Sequence, residues 1–192
     1  IYIGDHGADL PRGKRTCYEG GLRIPMIISW PKAKKNQRRK ELVSTLDLFP
    51  TICEIAGLKV PNSLMGQSLK DIIHGKNPEW RRVMFTGYHV HSNHNPWPQR
   101  AVRDERYKLI FNPLSGEVNP GYEFTMSKKF METTESELME SASDQVRAAY
   151  EISKKPPRFE LYDLQKDPYE FNNLINEPEH SGELKRLRSL LM

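Results

Sequence analysis

Short apolar runs alternate with long polar connections along this chain, and the runs change character near residue 75. Ile1–Ile3 reads as the last residues of a buried strand, and residues 4–21 as a loop rich in Gly, Asp and Arg. The apolar run Ile24-Pro-Met-Ile-Ile-Ser-Trp30 predicts a second buried strand. Ser44 or Thr45 caps a helix running to Ala56, with Gly57 as its stop and Pro50 tolerated in the first turns. Leu46, Phe49, Ile52, Cys53 and Ala56 would form its inner face. A short helix is predicted over Leu69–His74, closed by Gly75. Beyond this point Val83–Gly87, Arg100–Arg103, Tyr107–Phe111 and Phe159–Leu164 alternate loosely and predict an antiparallel sheet. Residues 113–157 are irregular except for a helix from about Glu135 to Ile152. Ser181–Met192 is a helix with Leu184, Leu187 and Leu191 on one face. The pattern therefore predicts two parts. Residues 1–75 are the closing elements of an α/β sheet domain, and residues 76–192 a smaller α+β subdomain with an antiparallel sheet.

Composition refines this picture modestly. With 37% hydrophobic residues the chain supports a lean core. No apolar stretch approaches the ~20 residues that span a bilayer. The net charge of +4 fits a solvated surface and weakly favours an anionic substrate. The basic run Lys32–Lys40 has no interleaved aromatics and reads as a solvated loop rather than a nucleic-acid surface. Cys17 and Cys53 form neither a CxxC pair nor a zinc spacing, so their redox state stays open. The opening Ile1-Tyr-Ile-Gly4 runs from a strand end straight into a polar motif, and reads as cut from the middle of a longer protein.

The candidate chemistry lies in that motif, Gly4-Asp5-His6-Gly7-Ala-Asp9-Leu-Pro11-Arg12-Gly13-Lys14. It follows a strand, where the active sites of α/β sheets form. Asp5 offers a hard oxygen and His6 a ring nitrogen, and a sharp turn at Gly4 and Gly7 would let both reach one divalent metal ion. Lys14 adds a compact positive charge suited to a sulfate or phosphate oxygen. Asp-His-Gly alone is more often an ordinary Gly/Asp turn with a capping carboxylate.

The wider pattern decides between them. Asp5-His6-Gly7, Gly13-Lys14, Tyr18-Glu19-Gly20-Gly21-Leu22-Arg23-Ile24-Pro25 and Trp30-Pro31 resemble the sulfatase family in order and spacing, as do Asp47-Leu-Phe-Pro-Thr51, Ala56-Gly57 and Gly66-Gln-Ser-Leu69. Gln99-Arg100-Ala-Val-Arg103 and the Glu160-Leu-Tyr-Asp163, Asp167-Pro168, Asn173-Leu174 ending are similar to the C-terminal subdomain of the heparan N-sulfatase branch and its bacterial relatives. The resemblance implies the C-terminal part of an alkaline-phosphatase-like sulfatase fold. Asp5 and His6 would be metal ligands, most often for calcium, and Lys14 a sulfate contact. His6 stands where Asn is commoner, which leaves a softer metal open. Arg23 would support the loop. The remaining ligands and the missing N-terminal part of the same polypeptide would complete the site. The loop His89-Val-His91-Ser-Asn93-His94-Asn95-Pro-Trp97 would lie over the pocket, with His91 or His94 touching substrate and Trp97 stacking on a sugar. His74 and His180 read as surface residues, and Tyr107, Tyr162 and Cys53 as core.

Family members attack with a formylglycine made from Cys/Ser-x-Pro-x-Arg, and no such motif occurs in these 192 residues. The implied parent is a sulfatase acting on a sulfated sugar, with N-sulfoglucosamine of a glycosaminoglycan favoured and the fragment itself inactive. An O-sulfatase or arylsulfatase, or a phosphonate or phosphate ester hydrolase of the same superfamily, is the alternative. A non-catalytic polyanion-binding module is the rival from another class. Family resemblance also implies export or a lysosomal location.

Overall fold

The computed structural model describes residues 1–90, 96–127 and 133–192. They form two compact units, one of residues 1–3 and 26–82, the other of residues 4–25 and 83–192.

In the first unit, β1 (Tyr2–Ile3) pairs antiparallel with β2 (Met26–Ile27). Tyr2 and Ile27 are exposed, whereas the sequence reading buried both strands. Ser44 caps the chain as expected, within a capping box in which Asp47 accepts from the Ser44 amide at 2.7 Å. A 3-10 turn over Thr45–Asp47 then leads into α2 (Leu48–Ile55). The expected inner face of α2 is corrected. Leu46, Phe49 and Ile52 are exposed, and the buried side carries Asp47, Pro50, Thr51 and Cys53. The polar groups win this face because each is satisfied there. Asp47 accepts from the Gln67 amide at 2.8 Å and from Arg81 Nη1 at 2.8 Å, and the Thr51 hydroxyl accepts from the Leu69 amide. A core of Leu69, Ile72 and Ile73 from and beside α3 (Lys70–Ile73) packs with Met26, Trp30 and Trp80. Gly57 and Gly75 take left-handed conformations after the two helices. Most of the basic run Lys32–Lys40 is exposed, as expected.

The second unit is built on a four-stranded antiparallel meander, β3 (Met84–Val90), β4 (Pro96–Arg103), β5 (Tyr107–Phe111) and β6 (Phe159–Asp163), hydrogen-bonded in that order. Both faces of the central strands are covered, so β5 is buried along most of its length. The period of two assigns the faces. Val102, Tyr107, Leu109 and Leu161 meet Leu187 of α7 (Ser181–Leu191), flanked by Leu184 and Leu191. Ala101, Ile110 and Tyr162 instead meet Cys17 and Tyr18. Residues 4–25, which the sequence reading groups with residues 26–75, thus pack on this sheet, because Cys17 and Tyr18 give it its second apolar layer.

The single helix expected over 135–152 is two, α5 (Glu135–Ser141) and α6 (Asp144–Lys154), because Ser143 caps a new start by accepting from the Val146 amide. A further helix, α4 (Pro120–Met126), starts at Asn119 with proline in its first turn. His180 is buried against Tyr107, with ring centroids 5.7 Å apart, and so is not a surface residue. Cys17 and Cys53 are free, buried thiols. No helix among the described residues is long and apolar enough to cross a membrane.

Candidate active site

Asp5, His6 and Lys14 lie on one loop, folded against the four-residue helix α1 (Glu19–Leu22). The fold of this loop is set by backbone contact. The Gly7 amide donates to Gly21 O at 3.1 Å and the Lys14 amide to Ala8 O at 2.8 Å. A Cβ on Gly7 would sit 1.7 Å from Gly20 O, and one on Gly21 would sit 2.4 Å from Gly13 O. Only glycine permits this approach, which accounts for the Gly-Gly pair that follows Glu19.

At the start of the loop the Asp5 side chain is 85% exposed and that of His6 38% exposed. Asp5 Oδ1 accepts from the His6 amide at 3.0 Å, and His6 Nδ1 lies 2.7 Å from Gly7 O. A carbonyl only accepts, so Nδ1 carries the proton, and Nε2 is the atom turned toward Asp5 Oδ2, 3.1 Å away. Two donor atoms at this separation fit adjacent positions around one divalent cation bound at about 2.0–2.5 Å. A Nδ1–H held by a backbone carbonyl is the usual support of a metal-ligating histidine. The residues present therefore suit a divalent metal. Among the described residues no group of three His, Cys, Asp or Glu that could hold a metal occurs, so Asp5 and His6 alone would supply only part of a coordination shell.

Lys14 shares a small cleft with Arg12, Arg15, Asn119, Tyr122 and Ser153. Residues of the segment 113–157, irregular at the sequence level apart from one helix, thus form one wall of the cleft around Lys14. Arg12 and Arg15 both have left-handed backbones, φ 62° and 73°, and both are buried. Arg12 lies over the Tyr18 ring at 3.8 Å and donates to Ala149 O at 3.1 Å and to Glu170 O. Arg15 donates to Asp9 and, at 2.7 Å, to the Thr125 hydroxyl. These two arginines fasten the loop to α4, α6 and the segment after β6. Sequence reasoning missed them, because neither a left-handed φ nor a buried guanidinium has a periodic signature. The Arg23 amide closes α1 on Glu19 O at 2.8 Å while its side chain is exposed.

Below the loop, Tyr18 and Tyr162 both donate to Glu160 Oε2 at 2.6 Å, and Asn112 Nδ2 donates to Oε1 at 2.7 Å. Burial, reinforced by Glu160, holds the Tyr18 hydroxyl protonated well above its usual range. Gln99 bridges the Cys17 amide, at 3.0 Å, to Asn112, at 2.7 Å. A lone Glu inside Phe159-Glu-Leu-Tyr was a visible signal for this buried acceptor. His91 and His94, expected to touch substrate, lie outside the described residues. Trp97 is 3% exposed on β4, so the ring expected to stack on a sugar is a core side chain.

A family model described as "N-sulphoglucosamine sulphohydrolase, C-terminal" matches residues 4–119. An ulvan-active sulfatase of Formosa agariphila is 33% identical over 97% of this chain and 35% of its own length. The human N-sulphoglucosamine sulphohydrolase is 28% identical over the whole chain and 40% of its own length. The chain thus spans well under half the length of either relative. A crystal structure of a sulfatase from Bacteroides thetaiotaomicron, described as putative, superposes with a TM-score of 0.64 at 25% identity, covering 91% of this chain and 30% of that one.

Proposed function

Because this chain belongs to the N-sulphoglucosamine sulphohydrolase C-terminal family of sulfatases, we propose that it supplies one wall of a sulfatase active site, the wall that holds the metal and receives the sulfate. The observation that carries this reading is the pairing of His6 Nε2 with Asp5 Oδ2 at 3.1 Å, its tautomer fixed by Gly7 O, on the loop that also bears Lys14. Asp5 and His6 would hold a divalent cation, calcium by family or a softer ion by the imidazole. When bound, the cation polarises a sulfate group. The Lys14 ammonium offsets charge that builds on sulfate oxygens as the S–O or S–N bond breaks, which lowers the barrier. The nucleophile, expected as a formylglycine, and the remaining ligands come from outside these residues. The chain by itself would bind the cation weakly and turn nothing over.

The substrate is a sulfated saccharide, and we place N-sulfoglucosamine first among candidates, since the matched family model carries that name. The relative active on ulvan keeps O-sulfated sugars as the second reading. Export or a lysosomal location is proposed from the family alone. The test uses the full-length protein carrying this chain, assayed with N-sulfoglucosamine, glucosamine 6-sulfate, an aryl sulfate and a phosphonate monoester. Release of inorganic sulfate from either sugar supports the reading. Hydrolysis of the phosphonate alone sinks it.

A further inference from the structure

Lys108 stands alone in an otherwise apolar strand, and it is 0% exposed. Its Nζ lies 3.1 Å from Glu19 Oε1 and 2.9 Å from Glu170 Oε1, and Glu170 is itself 1% exposed. Arg103 Nη1 reaches the other oxygen of Glu19 at 2.6 Å, and the Glu19 amide donates to Glu170 Oε2 at 2.6 Å. The cluster is balanced, with two carboxylates against two cations. It joins β4, β5, the segment after β6 and the first residue of α1. Apolar sets of similar volume are often as stable as such buried clusters, so stability alone does not account for the charges.

What the cluster fixes is Glu19, and Glu19 begins α1, against which the Asp5, His6 and Lys14 loop is folded. The next two residues, Gly20 and Gly21, are in backbone contact with Arg12, Gly13 and Gly7. Gly7 flanks the Asp5–His6 pair, and Gly13 precedes Lys14. Glu170 and Arg12, joined by a hydrogen bond, both have left-handed backbones, φ 59° and 62°. Such conformations persist in non-glycine residues only where the surroundings over-determine them, and they concentrate at functional sites.

We infer that Lys108, Glu170 and Arg103, acting through Glu19, are positioning residues that set where the Asp5, His6 and Lys14 loop stands. None of the three touches substrate. The inference rests on the proposed role of Lys14 and needs a test that separates the two.

The test is made on the full-length protein carrying this chain. Glu170→Gln keeps the size and an oxygen for the Glu19 amide but removes the charge that faces Lys108. Lys14→Ala is measured beside it. The expected result is a folded Glu170→Gln enzyme with KM unchanged and kcat lowered roughly 10- to 100-fold, the range in which small misplacements of catalytic groups fall. The amides of Gly7 and Lys14 should exchange with solvent faster while those of β5 keep their protection, which a merely structural residue would not produce. Wild-type kcat and exchange in Glu170→Gln beside an inactive Lys14→Ala would overturn the inference alone. So would a kcat that falls only with the folded fraction. Wild-type activity in Lys14→Ala would overturn the site reading and this inference with it. Should Glu170→Gln fail to fold, Arg103→Gln, on the more accessible side of the cluster, is judged by the same criteria.

Discussion

Gly7 has no room for a methyl group, since its Cβ would meet a backbone carbonyl at 1.7 Å and the carbonyl cannot swing aside without dragging α1. Gly7→Ala should destabilise the second unit by about 1–3 kcal/mol, as overpacking does, read as a lower urea midpoint with an unchanged slope. Cys17 gives a second check. Burial pushes its thiol up to about 11, so only about one molecule in a thousand is thiolate at pH 8. Alkylation of the native protein at that pH should leave Cys17 unmodified by mass spectrometry and label it once the chain is unfolded. Early labelling of Cys17 would mean that the loop leaves the sheet. At this scale chemistry and spacing singled out Asp5, His6 and Lys14 as candidates, and their roles stand as proposals. The sequence was mute on Arg12 and Arg15, whose roles depend on backbone conformation and on partners more than a hundred residues away.

Among the elements, α7 is held by one side chain more than any other. Leu187 is fully buried between Val102, Tyr107, Leu109 and Leu161. Leu187→Ala should cost about 2–5 kcal/mol in chemical denaturation. Ser44→Ala, which removes one half of a capping box, should cost about 1 kcal/mol. A loss at Ser44 as large as that at Leu187 would contradict this ranking. The helix face of α7 was legible because it has one dominant apolar period, and the central strands of the meander because they are short apolar runs between polar turns. The face of α2 was not, because Asp47 and Thr51 are drawn inward by hydrogen bonds to Gln67, Arg81 and Leu69 that no local pattern announces. The break between α5 and α6 hid in the same way behind a single cap, Ser143.

At the scale of the whole molecule, carboxylates tie the distant parts of the second unit together, and their titration should be felt in its stability. Burial alone would raise the pKa of Glu19, but Lys108 and Arg103 outweigh it and hold the carboxyl below its usual range. Asp163 behaves likewise, burial being outweighed by Arg106 and by the Gln165 and Lys166 amides. A carboxyl with a depressed folded pKa stabilises above its unfolded value of about 4 and loses that contribution as pH falls through the folded value. Glu170 runs the other way, since burial raises its pKa, and offsets part of the effect. The net expectation is stability that holds from neutral pH to about 5 and declines below about 4, followed by circular dichroism. A protein that becomes more stable between those values would contradict the assigned pairings. The sheet and loop architecture was foreseen in outline, as an antiparallel C-terminal part. That residues 4–25 join it was not, because the attachment runs through Cys17, Tyr18 and a lysine inside an apolar strand.

On the reading proposed above, Asp5 and His6 hold a divalent cation on the loop that also carries Lys14. The most direct measurement is metal content by mass spectrometry together with sulfate release, in the full-length protein carrying this chain and in its Asp5→Ala variant. Asp5→Ala should lose about one divalent ion per chain, with sulfate release lowered by at least about a thousandfold, the several kcal/mol a bound cation supplies to charge stabilisation. Full metal content and undiminished sulfate release in Asp5→Ala would contradict it.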